Sequence, residues 1–391
     1  MKNFKLILIP ILFSVIFFAV PHLARRAESA AEAVPDKIEI VKAQVLSTEN
    51  KGMQNLTGLD VSSPNQTITA QILEGESRGK TVVFDNDYIQ LKKGDIFYLN
   101  HTTYLDTGQE VFSVEDSYRL PVLYFFILLF ILLVIFIGGV QGVRGLLSLI
   151  GSFALIIYVL LPAILHGYSP VFVSIVVSSL IVILGSFITH GFNKTTSSAV
   201  LGMILTIIAT GAMAYFAVYF SKFSGYSSEE AVFLNLNARG HIDIIGVLIG
   251  GIMIGLLGVL YDVAIGQAIS VEELHHIAPH ISKKKIFQRS MRIGREHIGA
   301  LVNTLAIAYV GASLPLLLLF STPPVNITMT LNREIFAAEI IRILIGSIGL
   351  VLAVPITTLL ATIMLVKTQK LEDVSVLKKE NEAIAHYEHH H

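Results

Sequence analysis

The chain has 391 residues, of which 53% are hydrophobic and only 15% charged, with a formal net charge of −1. A soluble domain carries about 25% charged residues, so this chain has too few charges to solvate its own surface, and a soluble enzyme, a coiled coil and a disordered chain are excluded. With no cysteine, thiolate catalysis, zinc–cysteine sites and disulfides are excluded as well.

Lys2 and Lys5 precede an apolar run from Leu6 to Val20, with Arg25 and Arg26 behind it and small residues at Ser29-Ala30-Ala31. Such a run suits a signal anchor or a signal peptide over residues 1–24. Residues 25–119 change character. Polar and apolar residues alternate in Lys37–Val45 and Thr67–Leu73, and again at Thr81–Phe84 and Asp95–Leu99. Turn signals separate the runs at Gly75, Gly79, Gly94 and Gly108. This pattern predicts five or six antiparallel strands in a small β-barrel-like domain, either OB-like or a sandwich.

From Pro121 the chain reads as membrane. A span needs about 20 apolar residues, and residues 121–139, 145–166, 170–190, 197–220, 242–270, 298–320 and 335–366 qualify. These seven spans fill a membrane domain over 120–367, ahead of a cytoplasmic tail over 368–391. With the N-terminal run they predict an all-α multi-pass bundle of about eight spans. The closing histidines His389, His390 and His391 are set aside as a tag-like run.

Charge sets the orientation. One set of connections carries Arg144, Lys194, Lys283, Lys284, Lys285, Arg289, Arg292, Arg295, Lys367 and Lys370. The other carries only Lys222, Arg239 and Arg333. The positive-inside rule therefore puts both termini in the cytoplasm and the β-domain outside, so that it is extracytoplasmic.

Ionisable groups in spans are costly in hydrocarbon and so point to function. Asp262 leads the candidates. At about 100° per residue it shares a helical face with Gly251, Gly255, Gly258 and Gly266. That stripe predicts close packing against another span, with Asp262 facing a helix or an internal cavity as a proton or cation relay. Asp243 reads as solvated at the outer end of the same span. A polar segment follows with Glu272, His275, His276 and His280, and no metalloprotease spacing is present. Lys283 to His297 is basic and partly apolar, which suits the inner headgroup surface.

Further candidates for ion coupling are Arg295, Glu296 and His297, then Asn303 and Thr304, whose simpler role is to bond across a helix interface. Glu339 and Arg342 are three apart on a helix and can pair. Pro355 removes a donor from its span and should kink it. No Walker loop, GxSxG or metal motif is present. The expectation is a non-enzyme without cofactor or metal, whose partners are the lipid bilayer, protons or cations, and a paralogous membrane partner or second copy, with no nucleic acid.

Several stretches resemble the YibE/F-like family of bacterial multi-pass membrane proteins. They are Gly255–Ala264, Ile293–Ile298, Asn303–Pro315, Gly346–Leu350 and Val354–Thr358. The resemblance covers residues 121–366 and implies architecture, not an activity. Tyr261 departs from the family pattern, which has a second acidic residue beside Asp262, so the resemblance implies no carboxylate pair. The order of elements is also similar to the SecD/SecF and RND permeases: an external domain, a glycine-lined helix with an Asp, a basic segment, then a polar span. That likeness implies a proton- or cation-coupled transporter or export-assisting protein. The alternative is a membrane scaffold whose β-domain binds a partner.

Overall fold

The computed structural model describes residues 37–55, 62–105, 107–238, 241–319, 321 and 326–366. The N-terminal run and the tail from residue 367, on which the leader and tail expectations fall, lie outside the described residues. The chain divides into two compact units, one ending at Phe136 and the other starting at Ile137.

The first unit carries five strands: β1 (Lys37–Asn55), β2 (Ser62–Ile72), β3 (Thr81–Asn86), β4 (Ile96–Thr103) and β5 (Glu110–Ser117). Their order is β3-β2-β1-β4-β5, antiparallel throughout. β1 runs well past the alternating stretch visible in the sequence. It pairs with β4 through Lys37–Gln44 and with β2 through Ala43–Asn55. Register shifts at Val45/Ser47 and Asn50/Gly52 bend it, as an extra residue in one strand does. Gly52 sits there with φ 95°, a backbone conformation open to glycine at little cost.

The resulting sheet is a curled half-barrel. Its concave side buries Val41, Ala43, Val45, Ile68, Ala70, Ile72, Phe84, Phe97 and Leu99. Alternation supplies these residues, because successive side chains of a strand point to opposite faces. Opposite the β1 centre, the two outer strands approach. Lys80, just before β3, donates to Glu110 of β5 at 2.5 Å and lies 5.6 Å over the Phe112 ring.

The rest is helical: α1 (Leu120–Leu155), α2 (Leu161–Leu165), α3 (Pro170–His190), α4 (Lys194–Phe220), α5 (Glu229–Asn237), α6 (Ile244–Ile277), α7 (Lys283–Ala312), α8 (Leu314–Leu319), α9 (Ile327–Asn332) and α10 (Glu334–Leu365). A π-helical turn at Ile156–Leu160 joins α1 to α2. Among the described residues five helices are long and apolar enough to cross a membrane: Leu120–Leu165, α3, α4, α6 and α10. The spans expected at 121–139 and 145–166 thus fall in one helical run of 46 residues. Its backbone leaves the helical region at Gly139, with φ 54° and ψ −138°.

The expected span at 298–320 is reshaped. The basic segment from Lys283 is not a separate surface stretch but the first half of α7, which continues without a break to Ala312 and then turns at Ser313. No proline separates the two halves, and the isolated glycines Gly294 and Gly299 are tolerated within the helix, so it propagates. α7 is not one of the five long apolar helices.

α4, α6 and α10 pack against one another at the centre, with α3 and α7 against them. Met253, Leu256, Leu260 and Ile252 of α6 are fully buried there, with Met203 and Ile207 of α4. Small residues permit the close approach that drives helix association in lipid. A side chain at Gly202 of α4 would meet the Thr357 Cα of α10 at 3.0 Å, and one at Gly349 would meet Leu256 at 2.9 Å.

Candidate functional site

Asp243 starts α6 as its N-cap, accepting from the Gly246 N–H at 2.9 Å. It is therefore a structural cap, and satisfies one of the donors that a helix start leaves free. From there α6 turns its bulky side chains inward. Ile249, Ile252, Leu256, Leu260, Ala264, Ala268 and Val271 are buried against α4 and α10.

That rotation fixes the Asp262 face. Gly251, Gly255, Gly258, Asp262 and Gly266 lie on the exposed side of α6. A side chain at Gly251, Gly258 or Gly266 would meet nothing within 4 Å. The expected packing of this stripe against another span is thus corrected: among the described residues only Gly255 of the stripe is covered, by the Tyr309 hydroxyl of α7. The reason is that the glycines doing close packing lie elsewhere, at Gly202, Gly250, Gly294 and Gly349. Among the described residues Asp262 likewise faces neither a neighbouring helix nor an internal cavity, and stands exposed. Its side chain makes no ion pair or hydrogen bond among the described residues.

α6 and α7 run antiparallel, since Gly255 meets Tyr309 and Gln267 meets Gly294. The depth of Asp262 therefore falls near Gly299 to Asn303 on α7. Arg295, Glu296, His297, Asn303 and Thr304 are all exposed on α7. Thr304 bonds back to the Ala300 carbonyl at 2.9 Å, so its hydroxyl is occupied within its own helix. None of these residues forms an ion pair with Asp262. The structure thus places Asp262 and the α7 candidates on exposed sides of neighbouring helices without direct contact.

Glu339 and Arg342 pair at 2.9 Å within α10. Ser313 donates to Glu339 at 3.4 Å, and the Arg342 Nε is buried without a hydrogen-bond partner. This pair forms a second polar centre, separate from Asp262.

Sequence reasoning passed over Gln267. It is 4% exposed, accepts from Thr358 at 2.9 Å, and so fixes α6 to α10 next to Gly294 of α7. An amide within an apolar run was the available signal, because such a group must find a partner in hydrocarbon. Glu272, His275 and His276 were read as a segment beyond the span. They occupy the last turns of α6 instead. Among the described residues no group of three acidic, histidine or cysteine side chains is arranged to hold a metal.

A family model of the YibE/F-like proteins matches residues 126–367, well over half of the chain. The chain belongs to the YibE/F-like family. No curated protein and no solved structure matches it. The match spans α3, α4, α6, α7 and α10, and therefore both Asp262 and the Glu339–Arg342 pair; it leaves the five strands outside.

Proposed function

We propose that this YibE/F-like protein is a proton- or cation-coupled membrane protein that works through Asp262, as a secondary transporter or export-assisting protein. One observation carries the reading: a carboxylate stands on the exposed face of an apolar helix without an ionic partner of its own. Such a group is costly against lipid and is typically kept for function. The face is covered, in this reading, by a second copy. A two-fold axis along the membrane normal sets α6 of one copy against α7 of the other at equal depth. Asp262 then meets the stretch of the partner's α7 that carries an exposed amide and hydroxyl, and the open glycines permit close approach. The half-barrel, whose strand order would form an OB-like circuit if β3 closed on β5, lies outside the membrane.

Infrared difference spectra of the full chain in lipid, recorded across pH, test the relay. A carboxyl band should appear that Asp262→Asn removes and Asp262→Glu shifts. A spectrum in which Asp262→Asn changes nothing overturns the relay. The scaffold reading then takes its place, supported by Ile38 and Ile40 of β1 and Val111 of β5, which stand exposed on either side of β4 through the register Ile38–Thr102–Val111.

A further inference from the structure

The helical bundle has a cavity at one end that the Asp262 reading does not use. Its volume is about 310 Å³, and Lys194, Glu272, His275, His276 and Leu365 line it. Lys194 is the first residue of α4, Leu365 the last of α10, and Glu272 to His276 the last turns of α6. Three apolar spans thus begin or end around this cavity. It therefore lies where hydrocarbon gives way to headgroups, whichever side of the membrane that is.

The wall has one ammonium and one carboxylate, yet Lys194 and Glu272 form no ion pair, with each other or with any described residue. Two further groups lack partners. The His275 Nδ1 is buried with none, and so is the Thr195 hydroxyl, in a residue 6% exposed directly after Lys194. Lys194 and Thr195 also hold the first two positions of α4. There the N–H groups have no intrahelical acceptor and the helix dipole is positive. This end of the cavity suits a phosphate. Glu272 makes the opposite demand, since it repels a bare anion and favours a cation that donates hydrogen bonds. Leu365 adds an apolar flank.

A phosphate, a primary ammonium and a hydrocarbon chain occur together in an aminophospholipid. We propose that this cavity binds the phosphoethanolamine headgroup of a membrane lipid. The phosphate is held by Lys194 and the start of α4, with the imidazoles of His275 and His276 beside it. The ammonium is held by Glu272, and an acyl chain leaves along Leu365. The site is independent of the Asp262 reading and survives its failure.

Native mass spectrometry of the full-length protein in detergent tests the proposal, with phosphatidylethanolamine, phosphatidylcholine and phosphatidylglycerol as probes. Phosphatidylethanolamine should be retained about fivefold more than either of the others, since a charge-assisted pair at Glu272 is worth about 1 kcal/mol. Phosphatidylcholine shares the phosphate but has no N–H to give. Glu272→Gln should abolish the preference by lowering phosphatidylethanolamine retention to the level of phosphatidylcholine, whose own retention stays unchanged. Lys194→Met should lower retention of all three lipids about fivefold. Lys194 is exposed and Glu272 only half-buried, so both variants should keep the parent's melting temperature. Equal retention of the three lipids by the parent overturns the proposal. So does a preference untouched by Glu272→Gln. Full displacement of the lipid by free phosphoethanolamine or inorganic phosphate at equal concentration would assign the cavity to a soluble ligand and overturn the lipid source.

Discussion

Glu110 shows how single residues hold the half-barrel's open side. It accepts from Lys80 at 2.5 Å and lies 3.4 Å from the His101 Nε2. The hydrogen bond from Lys80 holds its carboxyl below the usual carboxylate range. Asp85 is held down in the same way, first by the Thr67 hydroxyl at 2.6 Å across the β2–β3 pair and then by Lys51 at 2.9 Å. A carboxyl depressed by folding contributes stability above its unfolded pKa, about 4. That contribution is lost as pH falls through the folded value. The β-domain should therefore loosen on the acid side of pH 4. Each exposed pair contributes little, so the effect should be graded. Hydrogen exchange of the β3 and β5 peptides in the full chain, corrected for intrinsic rates, should show faster opening in acid. Lys80→Met should flatten that acid dependence at β5 and leave it at β3. Equal slopes for variant and parent would remove Lys80 from the account.

At the scale of elements, periodicity located the helices but not their rotation. Gly251, Gly255, Gly258 and Gly266 make a regular stripe in the sequence, whereas Gly202 and Gly349 stand in no such pattern. Yet Gly202 sits against the Thr357 backbone and Gly349 against Thr210 and Leu256. Every face of a membrane helix is apolar or small, so the contrast that reveals a buried face in water is missing. The same weakness hid the join between the basic segment and the span in α7. Strands were more legible, because their alternation has a wet face to contrast with a dry one. The length of β1 was missed, since its bulges interrupt the period, and a fifth strand was expected without being located at Glu110–Ser117. The two kinds of glycine differ in consequence. Gly202→Leu should destabilise the chain by about 1–3 kcal/mol, because backbone and not only a flexible side chain lies in the way. Gly258→Leu should leave the melting temperature of the monomer unchanged and weaken only its association in lipid. Thermal unfolding in detergent, with crosslinking in membranes, reads both. A Gly258→Leu variant that melts early would show that its face is packed within the chain.

At the scale of the whole molecule, the site was legible in its parts and not in its assembly. Asp262 and the Glu339–Arg342 pair stand out as charges in apolar sequence. That Asp262 opens outward follows only from how α6 turns against α4 and α10, which depends on contacts distant in sequence. Orientation is a different kind of question, on which charge bears rather than packing. Lys283, Lys284 and Lys285 start α7, with Arg289, Arg292 and Arg295 in its next three turns. Moving so many basic residues across a bilayer is disfavoured, so the positive-inside rule predicts that the end of the bundle with the α6–α7 connection lies in the cytoplasm. In that predicted orientation the other end of the bundle faces outward, where Asp243 caps α6 and Glu334 accepts from Ser224 and Gly225. The absence of native cysteine makes single-cysteine labelling clean. In intact cells an impermeant maleimide should label Asn65→Cys or Glu76→Cys in the half-barrel and leave Lys284→Cys untouched until the membrane is opened. Labelling of Lys284→Cys from outside would invert the bundle, and with it the direction in which Asp262 could pass a proton.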